Sequence, residues 1–267
     1  MFVVVIAIVV LSSLVYFGNE RINTISENAK NSSALSWGEM KKLAEQKEIE
    51  KWKPNGSPRS YIDDLQYYIA RNGSVKISTL GSSVTAGDGA TSKDKSWAGL
   101  LKSYLRNTDG LFKTEVISNG FPGYSSQTIL SENKVDVVIA EKPDVVLFET
   151  SILNDHGQSV PIDKTLQNIN TVVEKLRTSL PESKIIILSP NPKASDKKNS
   201  VGLMLADYAV KTKELASQKG WDYIDVYNGF LLKNADLNHV LTDGVHPNDE
   251  GYKIWFEIMK SEFEKKK

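Results

Sequence analysis

Hydrophobic and polar positions divide the chain into three zones. Phe2–Phe17 (FVVVIAIVVLSSLVYF) is almost wholly apolar and shows no regular polar interruption. It is a little short for a full bilayer span, which takes about 20 residues, and long for a signal-peptide core of roughly 7–15. With Glu20 and Arg21 directly after it and no A-x-A-like cleavage site, it is expected to be an uncleaved signal anchor over 1–18. Residues 19–36 are polar and rich in Asn and Ser, and are expected to form a stalk. A helical extension is expected over 37–72. Its first helix, at 37–51, is dense in Lys and Glu. Its second, at 60–71, carries Ile62, Leu65 and Ile69 on one face, and Pro54-Asn55-Gly56 breaks the two apart. The extension is expected either to pack on the main domain as an added layer or to lean over its cleft.

From 73 to the end the pattern changes to short apolar runs separated by amphipathic segments. The runs are Val75–Leu80, Glu115–Ser118, Asp144–Glu149, Lys184–Ser189 and Trp221–Val226. The third and fourth are nearly continuous in aliphatic residues, as expected of strands buried on both faces. Ile162, Leu166, Ile169, Val173, Leu176 and Leu180 form one helical stripe. Tyr252, Trp255, Phe256, Met259 and Phe263 form another. Alternation of this kind predicts a parallel sheet covered by helices on both sides. Chemistry is then expected just beyond the carboxyl ends of the strands.

Composition changes this picture little. The 267 residues suit one α/β domain with extensions, with 40% hydrophobic and 25% charged residues. Net charge is zero, which gives no electrostatic reason for nucleic-acid binding. Cysteine is absent, so disulfides, thiolate catalysis and cysteine metal sites are excluded.

Four segments after strands carry candidate chemistry. Gly81-Ser82-Ser83-Val84-Thr85-Ala86-Gly87 can form a sharp turn that exposes a serine hydroxyl beside backbone N–H groups. It could also cradle a phosphate or be an ordinary loop, but it lacks the endings of a P-loop and the spacing of a dinucleotide fingerprint. Ser118-Asn119-Gly120-Phe121-Pro122-Gly123 is a second glycine-rich turn. Asn154, in Thr150–His156, could donate its amide to an oxyanion or could cap a helix. Near the end, Asp243 and His246 stand three apart in a turn with Gly244 and Pro247, so the carboxylate can orient the imidazole. The same D-x-x-H could hold a metal, though no second ligand cluster accompanies it. Only three histidines exist; His239 is expected on the surface, and His156 beside the cleft without a chemical role.

Taken in order, these four segments resemble the blocks of the SGNH hydrolase superfamily, the GDSL-like lipases and acylhydrolases. The blocks are Gly-Asp-Ser-x-Thr-x-Gly, Asn-x-Gly-x-x-Gly, Gly-x-Asn-Asp and Asp-x-x-His-Pro. The resemblance spans about Val75 to Phe263. It implies a three-layer α/β/α sandwich with a central, mostly parallel five-stranded sheet (flavodoxin-like) over 73–267. It also implies a triad of Ser83, Asp243 and His246 and an oxyanion hole from the N–H groups of Ser83 and Gly120 and the Asn154 amide, with no metal or organic cofactor. Ser82 replaces the usual Asp of the first block, Ser118 the first Asn of the second, and Ile152 the Gly of the third, where it is expected to alter the cleft wall. Taken with the expected anchor, the resemblance leads to the expectation of an extracytoplasmic serine esterase, membrane-anchored (or secreted if the segment is cleaved), acting on an acylated carbohydrate, foremost an O-acetyl ester of a surface glycan or exopolysaccharide. O-acyl transfer to a glycan hydroxyl, lipase or thioesterase activity, and a non-catalytic glycan-binding role are the alternatives.

Overall fold

The computed structural model describes the chain from Phe2 to Lys267, and side chains other than those of residues 1–12 and 32–35. Two compact units divide at Lys53/Pro54. The first is one helix, α1 (Phe2–Trp52), about 76 Å long at ~1.5 Å per residue. The expected polar stalk is therefore helical. It holds no proline, and once a helix is nucleated each further Asn or Ser costs only a fraction of a kcal/mol, about 0.7 or less. Pairs such as Lys41–Glu45 and Lys51–Glu48 line its second half. Most of the expected anchor lies outside the described side chains; of its remainder, Leu14, Val15, Tyr16 and Phe17 are exposed. Among the described residues no helix is long and apolar enough to cross a membrane.

The second unit begins with α2 (Tyr61–Asn72), opened by a capping box between Ser60 and Asp63 and closed by Gly73 at φ 79°. Thereafter strands and helices alternate: β1 (Val75–Leu80), α3 (Ser83–Ala86), α4 (Trp97–Asn107), β2 (Thr114–Ile117), α5 (Ser126–Ser131), α6 (Lys134–Glu141), β3 (Val145–Glu149), α7 (Ile152–Gly157), α8 (Ile162–Ser179), β4 (Lys184–Leu188), α9 (Leu205–Lys219), β5 (Asp222–Ile224), α10 (Val226–Leu232), α11 (Leu237–Val240) and α12 (Asp249–Glu264). The five strands form one parallel sheet in the order β2-β1-β3-β4-β5. Helices α2, α4, α10 and α12 pack together on one side, and α5, α6, α8 and α9 on the other. Every residue of β3 is buried, as a strand covered on both faces requires.

The expected domain start at 73 falls too late. Tyr61 and Leu65 are buried in the core, and the Tyr61 ring meets Phe263 edge-on at 5.3 Å. Helix α2 neither covers the cleft nor stands apart. Asn72 bonds Asp144, and Arg71 pairs with Glu182, both beside the amino ends of β3 and β4. The opposite, carboxyl edge of the sheet is left to the loops. The chain leaves β1 toward β2 on one side and returns to β3 on the other, so a crevice opens at the carboxyl end of β1.

Candidate active site

The turn that carries Ser83 follows β1 directly. Gly81 bridges to Gly120, Gly81 N–H bonds the Asn119 carbonyl at 3.1 Å, and Phe121 N–H bonds the Gly81 carbonyl at 2.9 Å. The first two glycine-rich segments are thereby laid side by side. Glycine is required at both positions. A Cβ at 120 would stand 2.0 Å from the Ala86 nitrogen, and one at 81 would stand 2.2 Å from Thr85 Oγ1. Ser83 opens α3 and is 7% exposed. Among the described residues neither the Ser83 nor the Gly120 N–H has an acceptor, which leaves two backbone donors on adjoining segments.

The Asp243–His246 segment comes from the other end of the chain. Leu241 and Pro247 form an antiparallel bridge, and Thr242 N–H bonds the His246 carbonyl at 2.8 Å, with Gly244 at φ 77° rounding the turn. Asp243 Oδ1 accepts the N–H groups of Val245 (2.9 Å) and His246 (2.8 Å), and Oδ2 lies 2.7 Å from His246 Nδ1. A carboxylate only accepts, so the proton of the neutral ring stands on Nδ1 and Nε2 is the acceptor. Nε2 lies 2.9 Å from Ser83 Oγ, across 163 residues of sequence. Partial burial raises the Asp243 carboxyl, but the bonds from His246 and Val245 outweigh it and hold the group below its ordinary range.

Three ties fix this segment against the turn of Ser83 and the loop after it. Gly89, at φ 90°, admits the Pro247 carbonyl where a Cβ would stand 2.4 Å from its oxygen. Tyr252 points its hydroxyl at the carbonyls of Asp88 (2.7 Å) and Val84 (3.1 Å). Asp249 accepts from Lys95 (2.7 Å) and from the backbone and hydroxyl of Thr91, and the Lys95 cation leads in holding its carboxyl down to about 2. From the far side, Asn191 donates to the Val245 carbonyl at 2.8 Å, and Ala194 N–H bonds the Gly244 carbonyl at 2.9 Å.

Asn154 lies in α7, after β3. One of its amide N–H groups bonds the Tyr124 carbonyl at 3.1 Å, tying the third segment to the second. Its neighbour Asp155 is buried and accepts from the backbone and hydroxyl of Ser126, while its second oxygen has no partner. Burial pushes its carboxyl up to about 7 against those bonds, with the charge of Glu149 adding to the rise. Ile152 does not shape the cleft wall as expected: it is wholly buried in the hydrophobic core at the first position of α7. Ser118 donates to the Thr85 carbonyl at 3.0 Å, which braces the end of α3. His239 is exposed and pairs with Glu250. His156 is buried, with Nδ1 3.1 Å from Lys193 Nζ and Nε2 3.1 Å from the Lys197 carbonyl. Among the described residues no group of three or more His, Asp or Glu side chains is placed to hold a metal ion.

Sequence reasoning missed Glu149. It is fully buried at the end of β3, and one carboxylate oxygen accepts from Ser82 N–H at 2.7 Å and Ser82 Oγ at 2.8 Å. The available signal was a charged residue closing an otherwise apolar strand.

A model of the GDSL-like lipase/acylhydrolase family matches residues 79–254. The isoamyl acetate-hydrolyzing esterase 1 homolog of Bos taurus is 24% identical over 179 residues, covering 58% of this chain and 70% of that protein. The isoamyl acetate-hydrolyzing esterase of Saccharomyces cerevisiae is 24% identical over 183 residues, covering 61% and 72%. Among solved structures, an acetyl xylan esterase superposes with TM-score 0.59 at 23% identity, covering 70% of this chain and 98% of that one. An acetyl-xylooligosaccharide esterase from Geobacillus stearothermophilus gives 0.57 at 18% identity, covering 71% and 94%. The family match takes in all four loops that meet at the end of β1; the chain belongs to the GDSL-like lipase/acylhydrolase family and is a serine ester hydrolase.

Proposed function

We propose that this hydrolase removes acetyl groups from hydroxyls of a carbohydrate, with Ser83 as nucleophile, His246 as general base and acid, and Asp243 as the group that orients His246. The carrying observation is the unbroken line of two hydrogen bonds, 2.9 Å from Ser83 Oγ to His246 Nε2 and 2.7 Å from His246 Nδ1 to Asp243. The His246 ring takes the Ser83 proton as Oγ forms a bond to the ester carbonyl carbon, and the ionised Asp243 stabilises the resulting imidazolium. Negative charge on the carbonyl oxygen falls to the free N–H groups of Ser83 and Gly120 and to the second amide N–H of Asn154. His246 returns its proton to the departing alcohol oxygen as the tetrahedral intermediate collapses to acetyl-Ser83. Water, deprotonated by the same ring, then releases acetate.

An acetyl group is favoured because the relatives and the structural neighbours named above carry acetate esters in their own names. A carbohydrate outside the cytoplasm is favoured by the apolar run at Phe2–Phe17, read as an anchor. Both points are tested in cells expressing the full chain, with p-nitrophenyl acetate and an acetylated xylan as substrates. Acetate release is expected in the washed membrane fraction, reduced on the order of 10⁴–10⁶-fold by Ser83→Ala. Activity confined to the soluble fraction would remove the anchor, and undiminished turnover in Ser83→Ala would remove the nucleophile assignment.

A further inference from the structure

Beneath the nucleophile lies a carboxylate that the mechanism above does not use. Glu149 ends β3 and is 0% exposed. Its Oε2 accepts from the Ser82 N–H (2.7 Å), the Ser82 hydroxyl (2.8 Å) and the Thr85 hydroxyl (3.3 Å), and its Oε1 accepts from the Ser151 N–H (2.8 Å). Ser82 immediately precedes the nucleophile, and Thr85 lies in the same short helix α3. Ser151 precedes α7, which carries Asn154, and holds a left-handed backbone at φ 57°. That conformation is unfavourable for a non-glycine residue and persists only where neighbours impose it. The space is shaped to the carboxylate, since a Cβ on Gly81 would stand 2.6 Å from Oε2.

We propose that Glu149 is a positioning residue of the esterase: as a carboxylate it clamps the turn of Ser83 to the start of the helix of Asn154, and so sets the nucleophile and the oxyanion donors at a fixed separation. All four partners donate, and two of them are backbone N–H groups that can only donate, so the site matches an acceptor of charge −1. Burial holds the carboxyl's pKa above its ordinary value, and the bonds from Ser82, Ser151 and Thr85 offset part of that rise. Ser82 is the other half of the device. Its hydroxyl donates at 2.8 Å, where a carboxylic side chain would set two acids against each other around one proton. The departure from the family's Asp at this position is thus matched to an ionised Glu149.

This inference rests on Ser83 being the nucleophile, and a swap of the two partners separates the two claims. Full-length Glu149→Gln, Ser82→Asp and the double variant are compared for kcat and KM on p-nitrophenyl acetate, for fluorophosphonate labelling rate, and for thermal midpoint. Glu149→Gln points an amide N–H at donors. Its kcat is expected to fall about 10²-fold, as for loss of one oxyanion donor, with KM within about threefold. Ser82→Asp alone is expected to lose at least about tenfold by the like-charge clash. In the double variant the amide introduced at position 149 donates to the carboxylate introduced at position 82, and kcat is expected to rise about tenfold or more above Glu149→Gln. A Glu149→Gln enzyme within about threefold of wild type, or a double variant whose loss equals the product of the singles, overturns the clamp. Should Glu149→Gln not fold, Thr85→Val decides: an approximately threefold fall in kcat at unchanged thermal midpoint supports the clamp, and unchanged kcat overturns it. Full activity in Ser83→Ala, by contrast, removes the nucleophile assignment itself.

Discussion

The two ends of the proposed catalytic line are built by opposite means. Ser83 sits 7% exposed on a turn gripped from below by a buried acid and by glycines that admit backbone at close range. Asp243 sits at the surface, its side chain 54% exposed, in a turn held largely by its own backbone N–H groups. His246, 26% exposed, spans the difference. Around Ser83, the proposed nucleophile, the chain commits core positions. Where a carboxylate has only to orient a ring, a local turn suffices, because an Asp three residues before the His reaches Nδ1 without long-range help.

The contrast can be broken most forcefully at Asp243. An amide there would set an N–H₂ group against either the Val245 and His246 N–H groups or His246 Nδ1, and so favour the wrong tautomer. A fully buried orienting Asp costs about 10⁴-fold on such a change. With this site half open to water, Asp243→Asn is expected to lower kcat by only about 10²–10³-fold, measured under saturating p-nitrophenyl acetate. A loss as large as that of Ser83→Ala would show that the surface turn is as exacting as the buried one.

The seam between the two regions is the next target. Gly89→Ala puts a Cβ 2.4 Å from the Pro247 carbonyl at a backbone φ of 90°. The expected cost is about 1–3 kcal/mol in unfolding free energy, with slower fluorophosphonate labelling as His246 is pushed from Ser83. A destabilised variant with wild-type labelling would mean that the seam holds the fold without setting the catalytic distance.

The smallest effect is expected at Asp155, on the buried side. Its carboxyl is raised to about 7 mainly by burial, so the folded state keeps a proton that the unfolded chain releases near 4. Between those values the native state binds more protons, and stability therefore falls as pH rises, by at most about 1.4 kcal/mol per pH unit from this group. Asp155→Asn is expected to flatten the pH dependence of the urea midpoint between about pH 4 and 7. An unchanged slope would show that Asp155 ionises freely in the fold.

Legibility in the sequence followed the range of the interactions. Strand positions, the two apolar helical stripes and the four loop segments could be read because each depends on local periodicity or on residue types needed at a turn. The Asp243–His246 pair was legible for the same reason, since its geometry is closed within three residues. Helix α2 was misassigned to the extension because Tyr61 and Leu65 look the same on any amphipathic helix; only contact with β1 and α12 makes them core. Ile152 looked like a cleft residue by its place in the motif, whereas its side chain is wholly buried in the core.

By itself, then, the sequence determined an alternating α/β chain with a serine, an asparagine and an Asp-x-x-His turn in the order of a known hydrolase family. Tertiary structure alone decided that residues 163 apart share a hydrogen bond, and that Glu149 lies under the turn of Ser83 as the acceptor for Ser82. Periodicity records which face of an element is apolar, but not which distant loop that face will meet. The meeting is settled by how the parallel strands order themselves and by where a missing Cβ lets two backbones touch.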